Sequence, residues 1–320
     1  MRIAVLGGTA FIGRAIVDEL VAERHEVLVI HRGKTEPAGL AEVQHLHAER
    51  DRLREHADEI SSFQPDVFID TRALTAADSQ TVLDSVGPDV RLAVLSSVDV
   101  YLGFQGLHEG TSLQAVPFAE DSLVRTKRYP YRGVVPGMDD YDKLDVEQLY
   151  LSRDAMVFRL PFVYGEHDYQ RREEFILGRL RAERRRIPFG AGDWLGSRVY
   201  VGDVAKGVCL AIASDEAPGQ IFNLGEPTTL TMRDLANAIA KAAGETIELV
   251  KVPDESLPQD LALSGSVAQH VLIDSSKARG VLGWRCQGRE ATIKTTVEWH
   301  ISNPPQVSES DFSQDDSALG

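Results

Sequence analysis

The stretch from Arg2 to Arg14 constrains the fold more than any other part of the chain. Ile3, Ala4, Val5 and Leu6 form an apolar run the length of a buried parallel strand. Gly7 and Gly8 follow, where the chain must turn tightly. Ile12, Ile16 and Leu20 then recur every four residues, with Ala15 three after Ile12, which is helical spacing. Strand, glycine turn and helix start, in that order, build an anion site. Free backbone N–H groups at the helix start face a pyrophosphate, and the helix dipole favours its charge. Gly7, Ala10 and Gly13 sit three apart, so the loop from Gly7 through Thr9, Ala10, Phe11, Ile12 and Gly13 is the candidate phosphate cradle.

The chain then keeps alternating. Apolar runs at 25–30, 43–47, 65–70, 92–97 and 155–159 read as strands, with helical stretches such as 51–63 between them. That order predicts an α/β fold with a doubly wound parallel sheet, whose ligands lie beyond the carboxyl ends of the strands. The 320 residues, 43% of them hydrophobic, suffice for one large domain with a smaller lobe. After the second strand come His31, Arg32 and Lys34, where a site for NAD usually places an acid. A cation cluster there suits a 2′-phosphate, so NADP is favoured over NAD. The net charge of -15 disfavours nucleic acid and anionic membrane as partners. Two cysteines make no metal pattern. With no signal peptide and no membrane-length apolar run, a cytoplasmic location is expected.

The loop Gly7-x-x-Ala10-x-x-Gly13 resembles that of the extended short-chain dehydrogenase/reductases, the NAD(P)-dependent epimerase/dehydratase family, with alanine in place of the middle glycine. Further motifs follow in the family's order. Ala48 to Asp51 is similar to its adenine-side acidic segment, which implies contacts from Glu49 and Arg50; Thr71 and Arg72 fall where its chain passes the cofactor phosphates. Ser96 to Tyr101 resembles the signature that places Ser97 on the catalytic hydroxyl. Lys143 and Glu147 fit the Tyr-x-x-x-Lys frame with its later Glu, which implies that Lys143 holds the cofactor ribose. The residue four before Lys143 is Asp139, however, and the nearest tyrosine is Tyr141. Arg159 to Gly165 is similar to the stretch lining the nicotinamide, implying Pro161 and Val163. Arg198 to Ala205 is similar to a segment whose arginine holds a substrate diphosphate. Asp274 to Trp284 resembles a C-terminal motif. The resemblance covers about residues 1–300. It implies a Rossmann-type dinucleotide domain over 1–165, with 200–227 returning to it, and a smaller substrate lobe over 166–300. Residues 304–320, acidic and Ser-rich, read as a disordered tail.

Residues 102–136 read as a long loop over the active-site mouth, with Tyr129, Tyr131 and Arg132 on its substrate side. For the missing tyrosine three readings stay open. Asp139 replaces it as acid/base; or Tyr141 reaches the site through a late or distorted helix start; or hydride chemistry is lost. The expected function is NAD(P)-dependent redox, epimerase or dehydratase chemistry on a hydroxylated small molecule, a nucleotide sugar among the candidates, with a homodimer compatible. The alternatives are a cofactor-binding regulator and a non-redox lyase or cyclase on the same scaffold.

Overall fold

The structure is a computed structural model that describes residues 1–35, 43–306 and 311–320. In chain order its first half contains β1 (Arg2–Leu6), α1 (Phe11–Ala22), β2 (Glu26–His31), β3 (Gln44–His47), α2 (Ala57–Phe63), β4 (Val67–Asp70), α3 (Ala76–Ser85), β5 (Arg91–Ser97), α4 (Leu102–Glu109), α5 (Lys143–Leu151) and β6 (Met156–Leu160). The second half contains β7 (Phe162–Tyr164), α6 (Glu174–Arg181), β8 (Arg186–Phe189), β9 (Arg198–Tyr200), α7 (Val201–Ile212), β10 (Ile221–Asn223), α8 (Met232–Ala242), β11 (Glu248–Lys251), α9 (Ser276–Val281), α10 (Arg289–Ser302) and α11 (Ser313–Leu319).

Seven strands form one parallel sheet in the order β10-β6-β5-β4-β1-β2-β3. The order reverses between β1 and β4, and crevices at such a reversal take ligands in doubly wound sheets. The inner strands are apolar almost throughout because helices cover both faces. The expected α/β fold with a Rossmann-type doubly wound sheet is therefore what the chain adopts. α7 packs against α1, and Trp284 seals that face by donating from its indole to the Asp203 carbonyl at 2.8 Å.

A second core gathers Phe189, Trp194, Leu235, Ile239 and Val297 from β8, α8, α10 and their neighbours. Two small parallel pairs, β7 with β9 and β8 with β11, frame this part.

Three expectations need correction. The segment after Tyr101 begins with helix α4 before it becomes a loop, because Gly103 and Gly106 let that helix lie tightly against Phe118 and Thr111. The region 51–63 is a 3₁₀ segment over Arg50–His56 followed by α2, not one helix. The tail is not free coil where it is described. Ser313–Leu319 is helical, and Asp315 is buried against Arg179 at 2.7 Å. Composition alone missed this because docked carboxylates and Phe312, rather than an apolar stripe, hold the segment.

Candidate active site

The phosphate cradle has the geometry its sequence implied. Gly7 adopts φ +93°, and a Cβ there would strike the Thr71 hydroxyl; one on Gly13 would strike the Gly7 carbonyl. Thr71 Oγ1 donates to Leu6 O at 2.8 Å, tying β4 to the turn after β1. Helix α1 starts at Phe11, and its cap residue Ala10 offers no side-chain acceptor. Its first N–H groups therefore remain open to an anion. Thr9 and Ile12 are half-buried around this turn, and Phe11 is buried edge-on to Tyr169. Pro161 and Val163 are buried at the start of the next segment. A dinucleotide pyrophosphate fits this cradle.

The basic cluster after β2 is largely committed elsewhere. His31 is buried, with Nε2 2.9 Å from His45 Nδ1 and its ring edge-on to His47. Lys34 pairs with Glu49 at 3.1 Å, both side chains being exposed. Arg50 binds the buried Asp70 carboxylate through both terminal nitrogens, at 2.7 and 2.6 Å, and Tyr150 donates to the same carboxylate at 2.7 Å. Burial opposes ionisation of Asp70, yet Arg50 and Tyr150 hold it below the usual carboxylate range. Arg50 thus props the end of β4 from below. Arg32 and Arg72 stay exposed at the rim.

Where α5 begins determines which of Asp139 and Tyr141 reaches the buried cluster. Asp142 is its N-cap, accepting from Leu144 N at 2.9 Å, in extended conformation. Tyr141 therefore lies outside the helix, and the rule that residues two apart on a helix face away from each other no longer applies to it. Its ring is buried, and its hydroxyl donates to Asp99 Oδ2 at 2.6 Å. Asp139 is exposed on the preceding turn, accepting from Gly133 N at 2.9 Å, while its carbonyl accepts from Arg132. The structure does not bring Asp139 to the buried cluster, which corrects the reading of Asp139 as the proton carrier. Arg132 is likewise occupied at this turn, bridging to Asp140 and covering Tyr129.

Asp99 is the residue that motif matching passed over. A short 3₁₀ turn, Val98–Val100, follows Ser97, which caps it by accepting from Asp99 N at 3.2 Å. The turn folds Asp99 back under the end of β5. Asp99 is 4% exposed, and its Oδ1 has no hydrogen-bond partner. Burial pushes its pKa up to about 6, against the opposing pull of Tyr141, Arg125 and Lys143. Lys143 is also buried, donating from Nζ to Ala73 O and Leu95 O, and burial pushes it down to about 8. Tyr131 packs edge-on to Tyr141 at 5.1 Å, and burial, with Asp99 nearby, raises its phenol. The signal available in the sequence was an acid between Val98 and Val100, where an exposed residue would have polar neighbours. Glu147, by contrast, is structural. It accepts from Arg159 twice and from Ser96, all within buried surroundings.

Arg198 does not present a free guanidinium. It binds Glu173 at 2.6 Å beside a cavity of about 460 Å³. Among the described residues no group of side chains forms a metal site, and no helix is long and apolar enough to cross a membrane.

The fold and the uncapped glycine loop define an α/β protein of the Rossmann type with an anion-binding turn at the carboxyl edge of its sheet. Residues 3–101 match the model of the NAD dependent epimerase/dehydratase family, so the resemblance read from the motifs holds. The match ends before the segment in which Asp139 stands in the tyrosine position. The chain is similar to chloroplast stem-loop binding protein of 41 kDa b from Arabidopsis thaliana, 25% identical over 308 residues, covering 89% of this chain and 75% of that one. It is also similar to 2′-dehydrokanamycin reductase from Streptomyces kanamyceticus, 26% identical, covering 82% and 72%. Among solved structures, UDP-glucose 4-epimerase from Bifidobacterium longum in complex with NAD+ and UDP shares the fold, with a TM-score of 0.73, 18% identity and coverage of 95% and 99%.

Proposed function

We infer that the protein is an NAD(P)-dependent enzyme that moves a hydride and a proton at a carbinol or carbonyl carbon of a hydroxylated small molecule. The observation that carries this reading is the buried Tyr141–Asp99 pair beside Ser97, at the carboxyl edge of the sheet that also holds the open glycine loop. When bound, the dinucleotide accepts or returns the hydride. The chain supplies the rest. Ser97 Oγ orients the reacting oxygen. Tyr141 Oη takes the substrate proton while passing its own to Asp99, and the reverse transfer returns it. Lys143, held by two carbonyls below the pair, keeps positive charge next to the developing anion.

NADP is the proposed cofactor, with Arg32 as the ligand for its 2′-phosphate, since His31 and Lys34 are engaged. The stem-loop-binding relative raises a nucleic-acid reading, which the net charge of -15 opposes. The enzyme is taken to work in the cytoplasm.

The test is reduction of NADP+ or NAD+, followed at 340 nm, against a panel of hydroxylated compounds. Asp99 must be ionised to accept the proton, so oxidation should fall as pH drops through about 6. Asp99→Asn should remove that limb along with most of the rate. A flat profile from pH 5 to 8 in an active wild-type protein would contradict the role of Asp99.

A further inference from the structure

A chain of ring contacts runs from the acid/base cluster to the cavity beside α6, whose own lining includes none of Ser97, Asp99, Tyr141 or Lys143. Tyr141 meets Tyr131 at 5.1 Å, Tyr131 meets His108 at 5.8 Å, and His108 meets Phe104 at 5.1 Å. Phe104 meets Phe162 at 6.4 Å, and Phe162, with Trp194 behind it, lines the cavity. A substrate bound at Tyr141 would have to extend along these rings to reach the cavity.

Four arginines line the cavity, and each already has a carboxylate. Arg171 pairs with Glu174 at 3.2 Å, Arg172 with Asp168 at 3.2 Å, and Arg198 with Glu173 at 2.6 Å. Arg179 is held by Asp260 at 2.6 Å and, from the C-terminal helix, by Asp315 at 2.7 Å. That helix is also anchored by Arg184 on Asp316 at 2.6 Å and by Phe312 under the Arg179 and Arg184 guanidiniums. Asp311, Phe312 and Gln314 then form part of the cavity wall. The lining carries four guanidiniums and four carboxylates, Glu174, Asp260, Asp311 and Asp315, with Asp168 and Glu173 directly behind.

We propose that this cavity, closed on one side by the C-terminal helix, selects an uncharged hydroxyl-bearing substrate and rejects nucleoside diphosphates. The proposal rests on the enzymatic reading above and narrows its substrate class. A diphosphate entering here would meet, among the described residues, no lining arginine without a carboxylate and would have to separate partly buried ion pairs to gain one. Hydroxyl groups instead find carboxylate acceptors and guanidinium donors side by side, with Phe162 and Phe312 as apolar edges. The C-terminal helix takes part directly, because Asp315 is what neutralises the most buried of the four arginines.

The test is calorimetric titration of the full chain with UDP, in the presence and absence of saturating NADP+. Wild type should show no saturable binding of UDP up to millimolar concentration. Asp260→Asn/Asp315→Asn frees Arg179, and Glu173→Gln frees Arg198; each should gain UDP affinity by about tenfold or more. Glu174→Gln, which frees Arg171 at a partly exposed pair, serves if the buried variants melt early. Micromolar binding of UDP by wild type, or no gain in any folded variant, overturns the proposal. Loss of NADP+ binding on the same samples would count against the enzymatic reading instead, and the UDP titration remains readable without it.

Discussion

At the glycine loop, positive character comes from backbone N–H groups that no side chain caps; in the cavity beside α6 it comes from guanidiniums that each hold a carboxylate. The first region is organised to receive charge. The second has its charges satisfied before any ligand arrives. The same contrast holds between Asp99, whose Oδ1 is buried without a partner, and Asp139, which is exposed and bonded to its own turn. Groups left uncommitted at the sheet's carboxyl edge should carry function, and groups paired in the lobe should carry stability and shape.

Substitutions can break or sharpen that division. The largest effect is expected at Tyr141. Tyr141→Phe should lower turnover by about 100- to 10,000-fold, the usual range for an acid/base group. Asp139→Asn should stay near wild type. A reversed outcome would move the chemistry from the buried cluster to the exposed turn.

Next comes Arg179→Met in the lobe. It leaves Asp315 buried without its partner and should cost about 3 kcal/mol of stability, read from denaturant unfolding, with dinucleotide affinity unchanged. An equal loss of dinucleotide affinity would mean the two regions are not separable.

Gly13→Val should then weaken NADP and NAD alike by about 100-fold, because its side chain would push against the Gly7 carbonyl at the cradle. Unchanged binding in a folded variant would remove the loop from the site. The smallest effect belongs to Arg32→Ala. With His31 and Lys34 engaged, one exposed guanidinium should give NADPH only about a tenfold advantage over NADH, which the substitution should erase. A preference that survives Arg32→Ala would put the 2′-phosphate elsewhere.

The sheet was legible in the sequence because its strands are short apolar runs and its phosphate turn needs glycines at fixed places, both local properties. The glycine turn was legible because its geometry depends on immediate neighbours, as at Gly7 and Gly13. His31, Lys34, Glu49, Arg50 and Arg198 have side-chain partners that the sequence did not announce, because those partners come from other elements. His45, Asp70 and Glu173 are distant in sequence, and no spacing pattern announces such a pair. Tyr141 and Asp139 could not be ranked without knowing that Asp142 starts the helix. Asp315 and Asp316 show the same limit at the C-terminus, where ion pairs to distant arginines dock a segment that composition marks as disordered.

The most direct test of the account is a crystal structure of the chain with NADP+ bound. The account predicts the pyrophosphate against the N–H groups of Phe11 and Ile12, and the nicotinamide C4 facing Ser97 and the Tyr141 hydroxyl. Between them there should be room for a single substrate carbon, with Tyr141 still bonded to Asp99. A nicotinamide facing Asp139, or a dinucleotide seated away from the glycine loop, would contradict it.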